Sequence, residues 1–290
     1  MLKTIVKNLS IRNLLLLLIL TLAFNIASPQ NRETDAPWFF IQLTDPQLGM
    51  YDNNQGFEKE TALLEKAVAG INRLRPDFVV ITGDFVHNMK STEQIQEFKK
   101  LVGKIDRNIP VYFTPGNHDI GQTPDKQSLK QYRQNYGRDR FAFLHKGSAF
   151  IGFNSSLIKA RLEKQEQKQY NWLVSSLKKY NKATKTILFC HYPFYNSSPA
   201  EPESYSNIAP DQREKYLSLF ETNGVDAVFS GHLHNNRELT YGQVQLVTTS
   251  ALGKPLGNAP SGLRIVRIYQ NRIEHRYFGM DELPDNVKFE

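Results

Sequence analysis

Short apolar runs separated by amphipathic stretches recur from Trp38 to Thr114. Trp38–Thr44, Phe78–Thr82 and Val111–Thr114 are nearly continuous in hydrophobic residues and too short for helices, the pattern of strands buried on both faces. Between the first two, Phe57, Leu64, Ala67, Val68, Ile71 and Leu74 follow the 3.6-residue period of a helix over Phe57–Leu74. Ser91 and Gln94 form a capping-box pattern ahead of a second helix carrying Ile95, Phe98, Leu101, Val102 and Ile105 on one face. This βαβαβ order predicts a largely parallel sheet covered by helices.

Beyond Gly121 the pattern is less regular. Ala149–Asn154 and Thr186–Cys190 read as strands, with a helix over Gln165–Tyr180 between them. Asn196–Pro210 is a polar, Pro-containing stretch long enough for a substrate-side loop. A helix then starts near Pro210 and stops at Asn223-Gly224, following the Pro-start, Gly-end asymmetry. Val225–Ser230, Arg237–Tyr241, Val244–Ser250, Leu263–Tyr269 and Ile273–Phe278 read as strands, with Gly and Asn at the turns. Units of βα first and hairpins later predict an α/β chain of mixed α+β character, with two sheets face to face and helices outside. The sequence carries no internal repeat and no low-complexity tract.

The first residues stand apart. Lys3, Lys7 and Arg12 precede an apolar run over Leu14–Phe24, with Ala27 and Ser28 after it, the composition of a secretory signal. The run falls short of the roughly 20 residues of a membrane-spanning helix. Residues 1–27 are therefore expected to be a signal peptide or an N-terminal anchor, residues 28–35 a linker, and residues 36–290 one domain. That order places the protein outside the cell or in the periplasm, with membrane contact only if the leader is retained. The net charge of +7 includes three Lys/Arg and no acids in residues 1–27, which leaves 33 basic against 29 acidic residues, a balance of +4. Without a basic block, nucleic acid is not an expected partner. The one cysteine, Cys190, excludes an internal disulfide and reads as a small buried hydrophobe.

Candidate chemistry lies just past the strands. Asp45-Pro46-Gln47, Gly83-Asp84, Gly116-Asn117-His118-Asp119, His191 and Gly231-His232-Leu233-His234 each follow an apolar run. Carboxylate, amide and imidazole are the donor set of divalent metals that activate water on a phosphate. A pair of ions about 3.5–4 Å apart needs a bridging carboxylate. Asp84, read here as the acid of the central strand, suits the bridge. Asp45 and His234 complete one site, and Asn117, His191 and His232 the other. With strand ends about 5 Å apart in one sheet, all of these can converge. The mixed oxygen and imidazole set favours manganese, iron, zinc or magnesium over calcium. His118, next to Asn117, is the expected proton donor to the leaving oxygen. Asn117 and His118 also face the expected substrate, and Tyr205 in the Asn196–Ala209 loop borders it.

These blocks resemble the calcineurin-like metallophosphoesterase superfamily: an Asp, then GD, GNH-[D/E], His and GHxH, in that order. Asp45-Pro46-Gln47, Gly83–His87, Gly116–Gly121, Gly231–Asn236 and the tail Ser250–Leu283 are similar to the calcineurin-like phosphoesterase-domain-containing protein 1 subgroup, which includes a serine/threonine phosphatase. The likeness spans Trp38–Leu283 and implies a four-layer αββα sandwich, two metal ions and phosphoester hydrolysis of a phosphorylated small molecule or phosphoprotein. Two departures matter. Gln47 stands where the superfamily usually places a His, which implies a looser, more oxygen-rich first metal site that still takes Gln47 as a ligand. His87, Asn88 and Met89 replace the Asp-Arg-Gly of phosphoprotein phosphatases, so a phosphate-gripping cation must come from elsewhere, and His87 is expected to support the site rather than bind metal. The competing reading is a non-catalytic metal-binding scaffold or partner-binding module, which loss of His118 or of a ligand would favour. All of them are present.

Overall fold

The computed structural model describes residues 36–289, so the leader and linker lie outside the described residues. Strands β1 (Trp38–Leu43), β2 (Val79–Thr82) and β3 (Val111–Thr114) are joined through helices α1 (Glu58–Leu74) and α2 (Thr92–Val102). Short α3 (Asn117–Ile120) leads to α4 (Lys126–Tyr136), β4 (Phe141–His145) and β5 (Ser148–Gly152). Next come α5 (Ser155–Lys159), α6 (Glu163–Lys179), β6 (Thr186–Phe189) and α7 (Pro210–Thr222). The chain ends in β7 (Ala227–Ser230), β8 (Arg237–Tyr241), β9 (Val244–Thr248), β10 (Gly262–Ile268) and β11 (Ile273–Gly279). One sheet has the order β11-β10-β1-β2-β3 and the other β4-β5-β6-β7-β9-β8. The βαβαβ expectation holds, because β1, β2 and β3 pair in parallel.

Alternation along β1 shows how the layers form. Phe39, Ile41 and Leu43 pack with Leu64, Ala67 and Ile71 of α1 and with Phe98 and Leu101 of α2. Trp38 and Phe40 face the other way, into a core shared with Phe150, Ile187, Phe189 and Phe229 of the second sheet. Leu173 and Leu177 of α6 and Tyr216, Leu217 and Phe220 of α7 cover that sheet's far side. The result is the αββα sandwich. Gln42, fully buried on β1, donates through Nε2 to Thr82 Oγ1 (2.7 Å) and to Ser230 O (3.3 Å), joining the sheets at the end where the functional loops emerge.

Some expectations shift. Ser91 caps α2 through Gln94 N–H, but the Gln94 side chain turns away to accept from Asn88 N–H, so the capping box is half formed. Ile105 lies beyond the helix but is buried. Helix α4 carried too few apolar residues to show a period; only Leu129, Tyr132 and Tyr136 pack inward. Its start was written in the Asp125/Ser128 capping box. Asp84 follows β2, whereas β1 is the middle strand of its sheet, so the central-strand acid is Asp45. The site loops also leave two sheets, not one: β1, β2 and β3 supply Asp45, Asp84 and Asn117, and β6 and β7 supply His191, His232 and His234.

Candidate metal centre

The strand-end loops are fixed by backbone pairing that continues past the strands. Asp45 N–H donates to Gly83 O (3.1 Å), Gln47 N–H to Asp84 O (2.9 Å), Gly231 N–H to His191 O (2.9 Å) and Gly253 N–H to Asp45 O (3.0 Å). Within that frame Asp45, Gln47, Asp84, His232 and His234 all have positive φ, between 39° and 68°. They are half of the ten non-glycine residues with that conformation among the described residues. Each costs on the order of 1 kcal/mol and persists only where the surroundings impose it. The left-handed step also rules out a continuing strand as the reason His232 and His234 share a pocket. Glycine is required where loops touch: a Cβ on Gly116 would overlap the Asp84 carboxylate, and one on Gly231 would overlap Thr44 Oγ1.

Two groups of buried ligands share Asp84: Asp84, His191 and His232, and Asp45, Asp84 and His234, each with ligand atoms within 4.8 Å of one another. In the first group the outward nitrogens are committed to backbone carbonyls. His191 Nδ1–H donates to Thr82 O (2.8 Å), and His232 Nε2–H to Tyr205 O (3.3 Å). His191 Nε2 then lies 3.1 Å from Asn117 Oδ1, 3.2 Å from His232 Nδ1 and 3.3 Å from Asp84 Oδ2. With those tautomers, four lone-pair atoms converge, and only a positive charge reconciles them. In the second group His234 Nδ1–H donates to Lys254 O (2.6 Å), which aims Nε2 at Asp45 Oδ1, 3.4 Å away. Asp45 Oδ1 and Gln47 Oε1 are buried and accept no hydrogen bond. The Gln47 amide is oriented by Nε2–H donation to His87 Nδ1 (3.2 Å), which leaves Oε1 as the free donor atom. This donor set fits two divalent cations.

The protein's own charges show what such cations replace. Burial disfavours a charged His191, yet Asp84 and Asp45 outweigh it and hold the imidazole up at about 9. Burial and cationic His191 push His232 down to about 3. Asp84 is raised by burial, but His191 more than compensates and keeps it ionised. His118, half-buried, donates its own N–H to Asp84 Oδ1 (2.8 Å) and its Nδ1–H to His87 O (2.8 Å). Its ring stacks on that of His87 with centroids 4.8 Å apart. Burial and neighbouring His118 lower His87, so its ring stays neutral. Tyr205, 58% exposed, caps the pocket: its hydroxyl is 3.3 Å from Asn117 Nδ2 and its ring lies 4.9 Å from His232.

Several supporting residues were not legible in the sequence. Thr44 Oγ1–H donates to Asp45 Oδ2 (2.7 Å), which also accepts His232 N–H (3.0 Å). Asp119 accepts Phe85 N–H and Gly116 N–H, both at 2.8 Å, and so clamps the Asp84 loop to the Asn117 loop. Ser155 Oγ accepts the N–H groups of His191 and Tyr192. Arg264, 1% exposed on β10, donates to Asn236 Oδ1 (2.9 Å) and Thr249 Oγ1 (2.8 Å), which braces the segment after His234. Asp119 could have been suspected from its place in the Gly116–Asp119 block; Ser155 and Arg264 sit in no comparable pattern.

With this geometry in view, comparison with known proteins is decisive. The family model for calcineurin-like phosphoesterases matches residues 40–236. The chain belongs to that family. It is 34% identical over 276 residues to the serine/threonine-protein phosphatase CPPED1 of Rattus norvegicus, covering 89% of this chain and 88% of the relative. It is likewise 34% identical over 281 residues to the CPPED1 of Homo sapiens, covering 89% and 90%. A dimetal phosphatase from Danio rerio shares the fold with a TM-score of 0.61 at 15% identity, covering 84% of this chain and 97% of that one. Family membership, phosphatase relatives and the paired ligand groups together make this calcineurin-like chain a dinuclear metal phosphohydrolase.

The His191 charge yields a test with opposite signs for metal and fold. A cation at His191 Nε2 must displace its proton, so metal uptake releases protons and apparent affinity rises with pH up to about 9. In metal-free protein the raised value means that the His191–Asp84 pair contributes fully below the unfolded value of 6.5 and is lost as pH rises through about 9. Calorimetry in buffers of different ionisation enthalpy, alongside urea melts of chelated protein, measures both. A metal affinity indifferent to pH between 6 and 9 would contradict the assignment.

Proposed function

We propose that the enzyme hydrolyses phosphoesters, phosphomonoesters foremost, with Asp45, Gln47, Asp84 and His234 holding one metal ion, Asp84, Asn117, His191 and His232 the other, and His118 acting as proton donor. One observation carries the reading: the carboxylate common to both ligand groups also anchors the backbone of His118. Divalent ions in these positions supply Lewis acidity toward the phosphate oxygens and toward water. The chain's own groups do the rest. The His87 carbonyl holds the Nδ1 proton of His118, so a protonated imidazole presents Nε2–H to the leaving oxygen. Asn117 and the Tyr205 hydroxyl line the substrate side, and the neutral His87 ring limits the freedom of His118. Monoesters are favoured because relatives named serine/threonine phosphatases cover nearly all of this chain. The N-terminal pattern supports export, and mature protein that retained Met1 and stayed in the cytosolic fraction would overturn that part.

His118→Asn is smaller and keeps a hydrogen-bonding side chain but cannot deliver a proton. It should lower kcat for a phosphoserine peptide, whose leaving alkoxide needs a proton, by about 10²–10⁴-fold, the usual worth of a general acid, with bound metal unchanged. A variant within twofold of the parent rate would remove His118 from the chemistry. A panel of p-nitrophenyl phosphate, bis-p-nitrophenyl phosphate, cyclic nucleotides and phosphopeptides with added manganese ranks monoester against diester.

Gln47 supports an exchangeable first metal, manganese or magnesium, because an amide oxygen is a weaker donor than imidazole. Gln47→His should tighten that ion, by about tenfold or more if the ring reaches it. Metal analysis after chelation provides the measurement. Stoichiometric, chelator-resistant iron in the parent protein is the result that would sink the idea.

A further inference from the structure

Away from the metal centre, a cavity among the described residues gathers five cations and no acid in its lining. It has a volume of about 370 Å³ and is lined by Lys126, Arg133, Arg140, Lys164 and Lys168, with Gln165 at its side and Leu129 and Leu157 beneath. Residues 36–289 carry 32 basic and 26 acidic residues, so five cations around one concavity exceed what a scattered surface charge would give. Among the described residues, the carboxylate bonded to these cations is Asp139, 4% exposed, which Arg133 and Arg140 share through Nη2 at 3.4 Å each. Asp125 is engaged in capping Ser128 N–H. One buried carboxylate therefore holds two guanidinium groups in place and leaves most of their donors unused, an arrangement suited to planar or tetrahedral oxyanions. Arg140 is further fixed over the Trp172 ring at 5.6 Å. Helix α6 brings Lys164 and Lys168 to the groove; at its start Glu163 N–H donates to Arg161 O (2.9 Å), and Glu163 and Glu166 stand in its first turn.

We propose that this groove is a second anion site, taking a compact molecule that carries two or more phosphate groups. The volume sits near the lower end of the roughly 300–1,000 Å³ of small-molecule pockets, and cations line it from both helices and from Arg140. Leu129 and Leu157 give it an apolar floor for the carbon skeleton of such a ligand. Helix α5 is the wall it shares with the metal centre: Leu157 faces the groove, Ser155 holds the His191 backbone, and Lys159 donates to Ser204 O beside Tyr205.

The test uses the full manganese-loaded chain and naphthalene-1,3,6-trisulfonate, a rigid trianion that is not hydrolysed and is a poor metal ligand, titrated calorimetrically at low salt. One molecule should bind per chain. The Lys164→Glu/Lys168→Glu double variant, at exposed positions, should bind about tenfold more weakly or worse, as expected for two reversed charges in solvent, while it still turns over p-nitrophenyl phosphate. Asp84→Asn, which disables the metal centre, should bind the probe as the parent does. In that variant glucose 1,6-bisphosphate should displace the probe and glucose should not. Binding that survives the double reversal, binding lost in Asp84→Asn, or no binding at about 1 mM would overturn the proposal. Capture of a poly-glutamate peptide with no response to the trisulfonate would also overturn it, in favour of an acidic protein segment.

Discussion

The Asp84 carboxylate is the constraint around which the rest is arranged. One oxygen faces the His191, His232 and Asn117 ligand atoms, and the other holds the His118 backbone. With Asp45 it places two carboxylates in the interior, each no more than 1% exposed. Burying unneutralised charge costs several kcal/mol per ion. The metal-free protein offsets part of that cost by protonating His191. Divalent cations offset it more fully and also resolve the convergence of lone pairs. Strained φ angles at five ligand positions belong to the same account, since a conformation that is unfavourable locally is retained where it serves a binding geometry. Metal binding and folding are therefore linked in this chain.

Because the ligands come from both sheets, the spacing of the two metal positions depends on how the sheets pack. That packing is aromatic: Phe40 stacks on Phe78 at 4.9 Å and meets Phe150, Phe189 and Phe229 edge-on. Close-packed interiors resist small displacements, which is the property needed to hold side chains from separate sheets in register. At the end of that core, Gln42 and Arg264 replace apolar contacts with hydrogen bonds between the layers.

The sequence made the candidate ligands legible because each sits at the end of an apolar run, beside a glycine or in a short polar block. Strand existence could be read from hydrophobic continuity, and the partition of ligands into two groups sharing Asp84 agrees with the geometry. Placing all the strand ends in one sheet failed for a physical reason: nothing local tells a strand which of two sheets it joins, since β1 and β6 are equally buried on both faces. Helix α4 escaped because its outer face is polar almost throughout and only three side chains reach the core. Ser155 and Arg264 act through contacts separated by 36 and 28 residues, beyond the reach of any short pattern.

His87 shows how a departure from the family pattern can be absorbed. The phosphoprotein-phosphatase pattern, from which this chain departs, places an Asp at that position. Here the orienting acceptor is the backbone carbonyl of His87, which any residue at that position would carry. The side chain is thereby released for another task. Kept neutral by burial and by its neighbour, it accepts a hydrogen bond from the Gln47 amide and leaves Gln47 Oε1 as the free donor atom. The two departures, Gln for His at position 47 and His for Asp at position 87, are joined by this hydrogen bond. An amide ligand needs an acceptor to set its orientation, and a protonated or anionic residue at 87 would not serve in the same way: the first cannot accept at Nδ1, and the second would add a charge beside two buried carboxylates. One neutral ring therefore links the looser metal position to the proton donor stacked upon it.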